Sequence, residues 1–177
     1  MIERIVLLGY MCSGKSTVGE ALARRLEWRF LDFDVEIERR EGQTVAAIID
    51  AAGEEYFRTA EAMLTREVSD VPAVVIAPGG GWITRPELLE AIRPGTLSIW
   101  LSASVEETVR RLRTDTIDRP FRDHPDPAGM IASMLADREA LYRRADLMVP
   151  VDGRTVEQAA YEIELVARTR GVLLPAV

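Results

Sequence analysis

Apolar residues in this 177-residue chain fall into two alternating kinds of run. Short, nearly continuous stretches rich in Val, Ile and Leu predict strands at residues 2–8, 28–31, 73–77, 96–101 and 147–151. Between them, apolar positions recur every three or four residues and predict helices at 15–26, 34–41, 44–51, 54–69, 86–92, 104–114, 127–143 and 155–170. Strands without a polar face need cover on both sides. Their alternation with helices predicts an α/β chain around a parallel sheet. Thr44, Ser104 and Thr155 stand where helix N-caps are expected, and Thr155 with Gln158 fits a capping box. No internal repeat breaks the pattern, and the length suits one domain over 1–177. One stretch, TDTIDRPFRDHPDP at 114–127, follows neither period and holds three prolines. An irregular loop of that length in a compact domain predicts a lid or binding loop.

The turn between the first strand and the first helix reads GYMCSGKST, residues 9–17. Gly9, Gly14, Lys15 and Ser16 match the phosphate-loop pattern G-x-x-x-x-G-K-[ST] in the required strand-to-helix context. Glycines let backbone N–H groups close around phosphate oxygens, and the helix N-terminus adds partial positive charge. Lys15 is expected to bridge the β- and γ-phosphates, and Ser16 to ligate Mg²⁺. This predicts a nucleoside triphosphate site.

Other candidate groups lie further along. After the second strand, WRFLDFD offers Asp32 and Asp34. If strand geometry persists they share a face, so one can serve the metal and the other an acceptor hydroxyl; Asp34 equally suits a helix N-cap. PGGGW at 78–82 removes three successive side chains after a strand, which suits either close approach of a ligand or a plain turn. Arg138 interrupts a helical stripe of Ile131, Met134, Leu135, Leu141 and Tyr142 with no acid three or four residues away. A guanidinium there either meets a ligand anion or lies over the stripe with its head in water. Arg58, flanked by Glu54 and Glu61, reads as an ordinary surface ion pair.

Composition narrows the partners. With 22 Lys plus Arg against 29 Asp plus Glu, the net charge of −7 disfavours nucleic acid. No apolar run reaches the roughly 18 residues of a membrane helix, so no membrane partner is expected. A single cysteine, Cys12, suits a reducing cytoplasm. Of the 22 basic residues only Lys15 is lysine, and it falls where a phosphate loop calls for one.

Taken in order, GYMCSGKST, DFD, FRTAE, GGG, the RP of the irregular loop and REALYRRAD resemble the shikimate kinase family over nearly the whole chain. The resemblance implies a P-loop kinase with a five-stranded parallel sheet flanked by helices, plus a lid loop. It implies a monomeric, cytoplasmic enzyme that uses Mg²⁺ and ATP to phosphorylate the 3-hydroxyl of shikimate. Carried over by position, Asp34, Arg58, Gly80 and Arg138 would contact shikimate, with Asp34 orienting the attacking hydroxyl and the arginines clamping the carboxylate. Cys12, Ser13, Gly14, Lys15, Ser16 and Thr17 would wrap the ATP phosphates, with Ser16 and Asp32 around Mg²⁺. Arg119 resembles the lid arginine that stabilises transferred charge, and Arg154 the adenine-side residue. Lys15, Asp34 and Arg119 form the implied catalytic set. Four residues depart from the family's usual pattern: Cys12 where a small residue such as glycine is common, Phe121 and Arg122 after the lid RP, and Trp82 after the glycines. Two other readings keep part of the motif set: a same-fold kinase acting on an acceptor such as gluconate, and a nucleotide-responsive module without turnover.

Overall fold

The computed structural model describes residues 1–115 and 121–173. Strands β1 (Arg4–Leu8), β2 (Arg29–Asp32), β3 (Val74–Ala77), β4 (Thr96–Ser102) and β5 (Leu147–Pro150) form one sheet in the order β2-β3-β1-β4-β5. Every neighbouring pair is parallel, as the continuous apolar runs predict. β1 is central and buried along its length. Its side chains alternate between two cores. Ile5 and Leu7 pack with α1 (Lys15–Leu26) and α8 (Val156–Thr169), while Val6 and Leu8 join residues of α2 (Phe33–Glu41) and α4 (Glu54–Val68). Among the described residues the layers are completed by α3 (Val45–Ala52), α5 (Pro86–Ile92), α6 (Val105–Thr114) and α7 (Pro127–Tyr142), with a short 3-10 turn at Trp82–Thr84. A small third cluster of Tyr10, Leu112 and Ile131 ties the loop after β1 to α6 and α7.

The expected caps form. Thr44, Ser104 and Thr155 accept from Ala47, Glu107 and Gln158 backbone N–H groups, and Thr155 with Gln158 closes the capping box. The region after β2 differs from expectation. Strand geometry stops at Asp32, whose carboxylate accepts from the N–H groups of Asp34 and Val35 and caps α2. Asp32, not Asp34, is therefore the N-cap, and the two acids do not meet a ligand through strand alternation. Trp28, expected in that strand, precedes it and donates its indole N–H to the Leu173 carbonyl. Ile2 lies ahead of β1 and bridges to Val172. Among the described residues between Asp115 and Asp126 there is no helix or strand. Arg119 lies outside the described residues. No described helix is long and apolar enough to cross a membrane.

Candidate active site

The loop after β1 has the backbone a phosphate cradle needs. Gly9 and Gly14 sit at φ +154° and +91°. A Cβ on Gly9 would come within 2.5 Å of Ser13 Oγ and 2.8 Å of the Leu101 carbonyl. Cys12 takes the left-handed region at φ 59°. A residue with a Cβ costs about 1–2 kcal/mol there relative to glycine. Its thiol lies 3.8 Å from Asp115 Oδ2, in reach of the carboxylate. The Gly14 cap of α1 brings no side-chain hydrogen bond, so the first-turn N–H groups open into the loop. Ser13 Oγ is buried and makes no hydrogen bond among the described residues. Lys15 Nζ folds back on the loop, donating to the carbonyls of Gly9 (2.9 Å) and Tyr10 (3.1 Å). Thr17 Oγ1 donates to the Gly14 carbonyl.

At the loop's edge, Ser16 Oγ donates to Asp32 Oδ2 at 2.5 Å. Two hard oxygens side by side at a phosphate loop suit Mg²⁺, which takes one or two protein oxygens together with nucleotide phosphates. This structural pairing fits the metal ligands expected from sequence.

The three glycines after β3 face different neighbours. None of Gly79, Gly80 and Gly81 has a left-handed φ; space is short at Gly79 and Gly81, while a Cβ on Gly80 would make ordinary contact. A Cβ on Gly79 would fall 2.6 Å from Glu61 Oε1 and 3.0 Å from Asp34 Oδ1. One on Gly80 would meet the Met11 backbone nitrogen at 3.4 Å, and one on Gly81 would overlap the Arg58 guanidinium. The turn therefore packs between α2, α4 and the phosphate loop. It is anchored by Trp82, which is 1% exposed and donates to Thr65 Oγ1 at 2.9 Å.

Charges around this turn are held at low exposure. Arg58 donates to Glu61 at 2.6 Å and to Glu54 at 2.7 Å. This is not the surface pair expected from sequence, because the Glu61 side chain is 1% exposed. Burial pushes the Glu61 carboxyl up, Arg58 opposes that, and neighbouring Asp34 adds to it. Burial alone would lower the Arg58 pKa, but Glu61 and Glu54 outweigh it and the group is raised. From α7, Arg138 Nη1 donates to the Gly80 carbonyl at 3.2 Å and its guanidinium lies 5.7 Å from the Tyr10 ring centroid. Among the described residues Arg138 forms no ion pair. Tyr142 donates to the same carbonyl at 3.1 Å.

Asp34, Arg58, Gly80 and Arg138 thus converge on the glycine turn, and Lys15, Ser16 and Asp32 on the phosphate loop beside it. Arg154 does not join them: its guanidinium pairs with Glu162 of α8. Sequence reasoning missed Glu61, Tyr142 and Arg111. Arg111 donates to the carbonyls of Cys12 (3.1 Å) and Val151 (3.3 Å), bracing the loop from α6. Its only sequence signal, the arginine run VRRLR, reads equally as a solvated helix face.

Both clusters stand beyond the carboxyl ends of β1, β2 and β3, where parallel α/β sheets bind ligands. A phosphate-loop cradle beside a glycine turn that carries Arg58 and Arg138 is the arrangement of a P-loop kinase for a small acceptor. The chain belongs to the shikimate kinase family, whose model, described as Shikimate kinase, matches residues 11–167. It is 43% identical to a shikimate kinase of Rhodopseudomonas palustris over 82% of this chain and 71% of that one. With the shikimate kinase of Geobacter metallireducens the identity is 38% over 92% and 90%. The fold superposes on a solved shikimate kinase from Acinetobacter baumannii in complex with shikimate, with TM-score 0.88 and 32% identity, covering 98% of this chain and 97% of that one.

Proposed function

We propose that this chain transfers the γ-phosphoryl group of ATP to the 3-hydroxyl of shikimate, yielding shikimate 3-phosphate and ADP. The observation that carries the acceptor is Arg138, a half-buried guanidinium with no acid partner among the described residues, set on the glycine turn opposite Arg58. Such a group calls for a ligand anion, and the carboxylate of shikimate supplies one. Arg58 and Arg138 clamp that carboxylate, and the Gly80 backbone lies against the ring. Asp34 accepts the proton of the attacking hydroxyl as its oxygen bonds to the γ-phosphorus and the bond to the β-phosphate oxygen breaks. Lys15 leaves the Gly9 and Tyr10 carbonyls for the β- and γ-phosphates, while residues 12–17 wrap them. Ser16 and Asp32 hold Mg²⁺, which neutralises phosphate charge when bound. Arg119 neutralises charge on the transferring group from the lid, which keeps water from the site. Arg154 belongs on the adenine side of this reading, through its place after β5. This reading takes the protein to act as a monomer, and the single cysteine suits a reducing cytoplasm as its setting.

Incubation of the protein with Mg·ATP and an acceptor panel tests this, with product identified by mass and phosphorus NMR. Shikimate 3-phosphate and ADP should form in equal amounts, with far less product from gluconate, AMP or quinate. Equal or better turnover of any of those three would overturn the assignment.

A further inference from the structure

The Gly80 carbonyl accepts from two donors on α7 one turn apart, Arg138 Nη1 at 3.2 Å and Tyr142 Oη at 3.1 Å. A carbonyl oxygen has two lone pairs, so both bonds can form together. The two donors differ in what else they do. Arg138 is only half-buried and lies over the Tyr10 face. Tyr142 is 1% exposed, and its ring stacks on Trp100 of β4 at 5.6 Å between centroids and 12° between planes. Burial pushes the Tyr142 phenol up to about 12, so it remains a donor throughout the working pH range.

We infer that Tyr142 is a positioning residue for acceptor binding: it retains the Gly80 carbonyl when Arg138 releases it to take the acceptor's carboxylate. The inference rests on the clamp role proposed for Arg138. Without the phenol, Arg138 must either stay on the carbonyl or leave it unpaired beside the phosphate loop. Either outcome opposes capture of the acceptor. Neither donor bonds Lys15, Ser16 or Asp32, so the ATP side changes less than the acceptor side.

Tyr142→Phe keeps the ring on Trp100 and removes the hydroxyl, with its bond to the Gly80 carbonyl and its contact with the Arg138 guanidinium. Its KM for shikimate should rise about tenfold, the effect of losing roughly 1.4 kcal/mol, while kcat and the KM for ATP stay within about twofold. Trp100→Phe, which loosens the stack but leaves the phenol, should keep its shikimate KM within the same twofold range. An unchanged shikimate KM in Tyr142→Phe overturns the inference, as does a parallel rise for both substrates. So does an equal rise in Trp100→Phe, which would make packing rather than the hydroxyl the cause. If the wild-type protein turns over no shikimate, the functional reading fails instead, and the two failures are distinct.

Discussion

Asp32 and Asp34 stand two residues apart and do different work because the chain changes conformation between them. Asp32 ends β2, caps α2 with one carboxylate oxygen and receives the Ser16 hydroxyl on the other. Asp34, the second residue of α2, lies against Gly79 beside Glu61. Asp34→Asn should therefore lower kcat about a hundredfold or more, the scale of a lost general base, with the KM for ATP nearly unchanged. Asp32→Asn should instead raise the Mg²⁺ concentration needed for half-maximal rate. Steady-state kinetics with a Mg²⁺ titration checks both, and exchanged phenotypes would reverse the roles. The sequence made both acids visible as candidates but not this division, since strand alternation and a strand-to-helix turn leave the same two letters. Arg58 shows the same limit. Its i, i+3 spacing to Glu61 is visible in the sequence, while the close packing of Glu61 against Gly79 of a distant turn is not. Cys12 is a third case: the sequence places it in the loop, and only the structure shows its left-handed backbone and the nearby Asp115 carboxylate.

Elements governed by local periodicity were legible nearly to the residue. The strands, the capped starts of α3, α6 and α8, and the phosphate loop all follow from patterns within a dozen positions. What joins elements was not legible. Trp82 reads from sequence as a residue beside the acceptor turn, yet it faces Thr65 of α4 and anchors the turn to the core. Arg111 is a similar case, one arginine in a run of three whose partners lie on two other segments. Its orientation is set on α6 by Glu107, which bonds Arg110 and Arg111 at 2.7 and 2.6 Å. Hydrogen bonds from Arg110 and then Arg111, against some burial, hold the Glu107 carboxyl at about 2, below its ordinary 4.5. A depressed carboxylate stabilises the fold above its unfolded pKa and loses that contribution as pH falls through the folded one. Glu107→Gln should thus melt below wild type near neutral pH, and the gap should close as pH falls from about 4.5 towards 2. A gap independent of pH, in thermal melts across that range, would mean the carboxylate charge is not what holds α6 to the loop.

At the scale of the molecule, the parallel sheet brings three strand ends together and sets the phosphate loop beside the glycine turn. The Gly80 position lies against the phosphate-loop backbone, which under the proposed function would set an acceptor on the turn beside the γ-phosphate. The central claim is that a carboxylate, clamped by arginines from α4 and α7, sets the acceptor in that place. Charge-assisted hydrogen bonds contribute about 1.5–3 kcal/mol each. The most direct measurement is kcat/KM for shikimate against its neutral carboxamide, under identical Mg·ATP. The account predicts a value for the amide at least about tenfold lower, equivalent to roughly 1.4 kcal/mol or more of transition-state stabilisation. An amide phosphorylated as efficiently as the acid would contradict it.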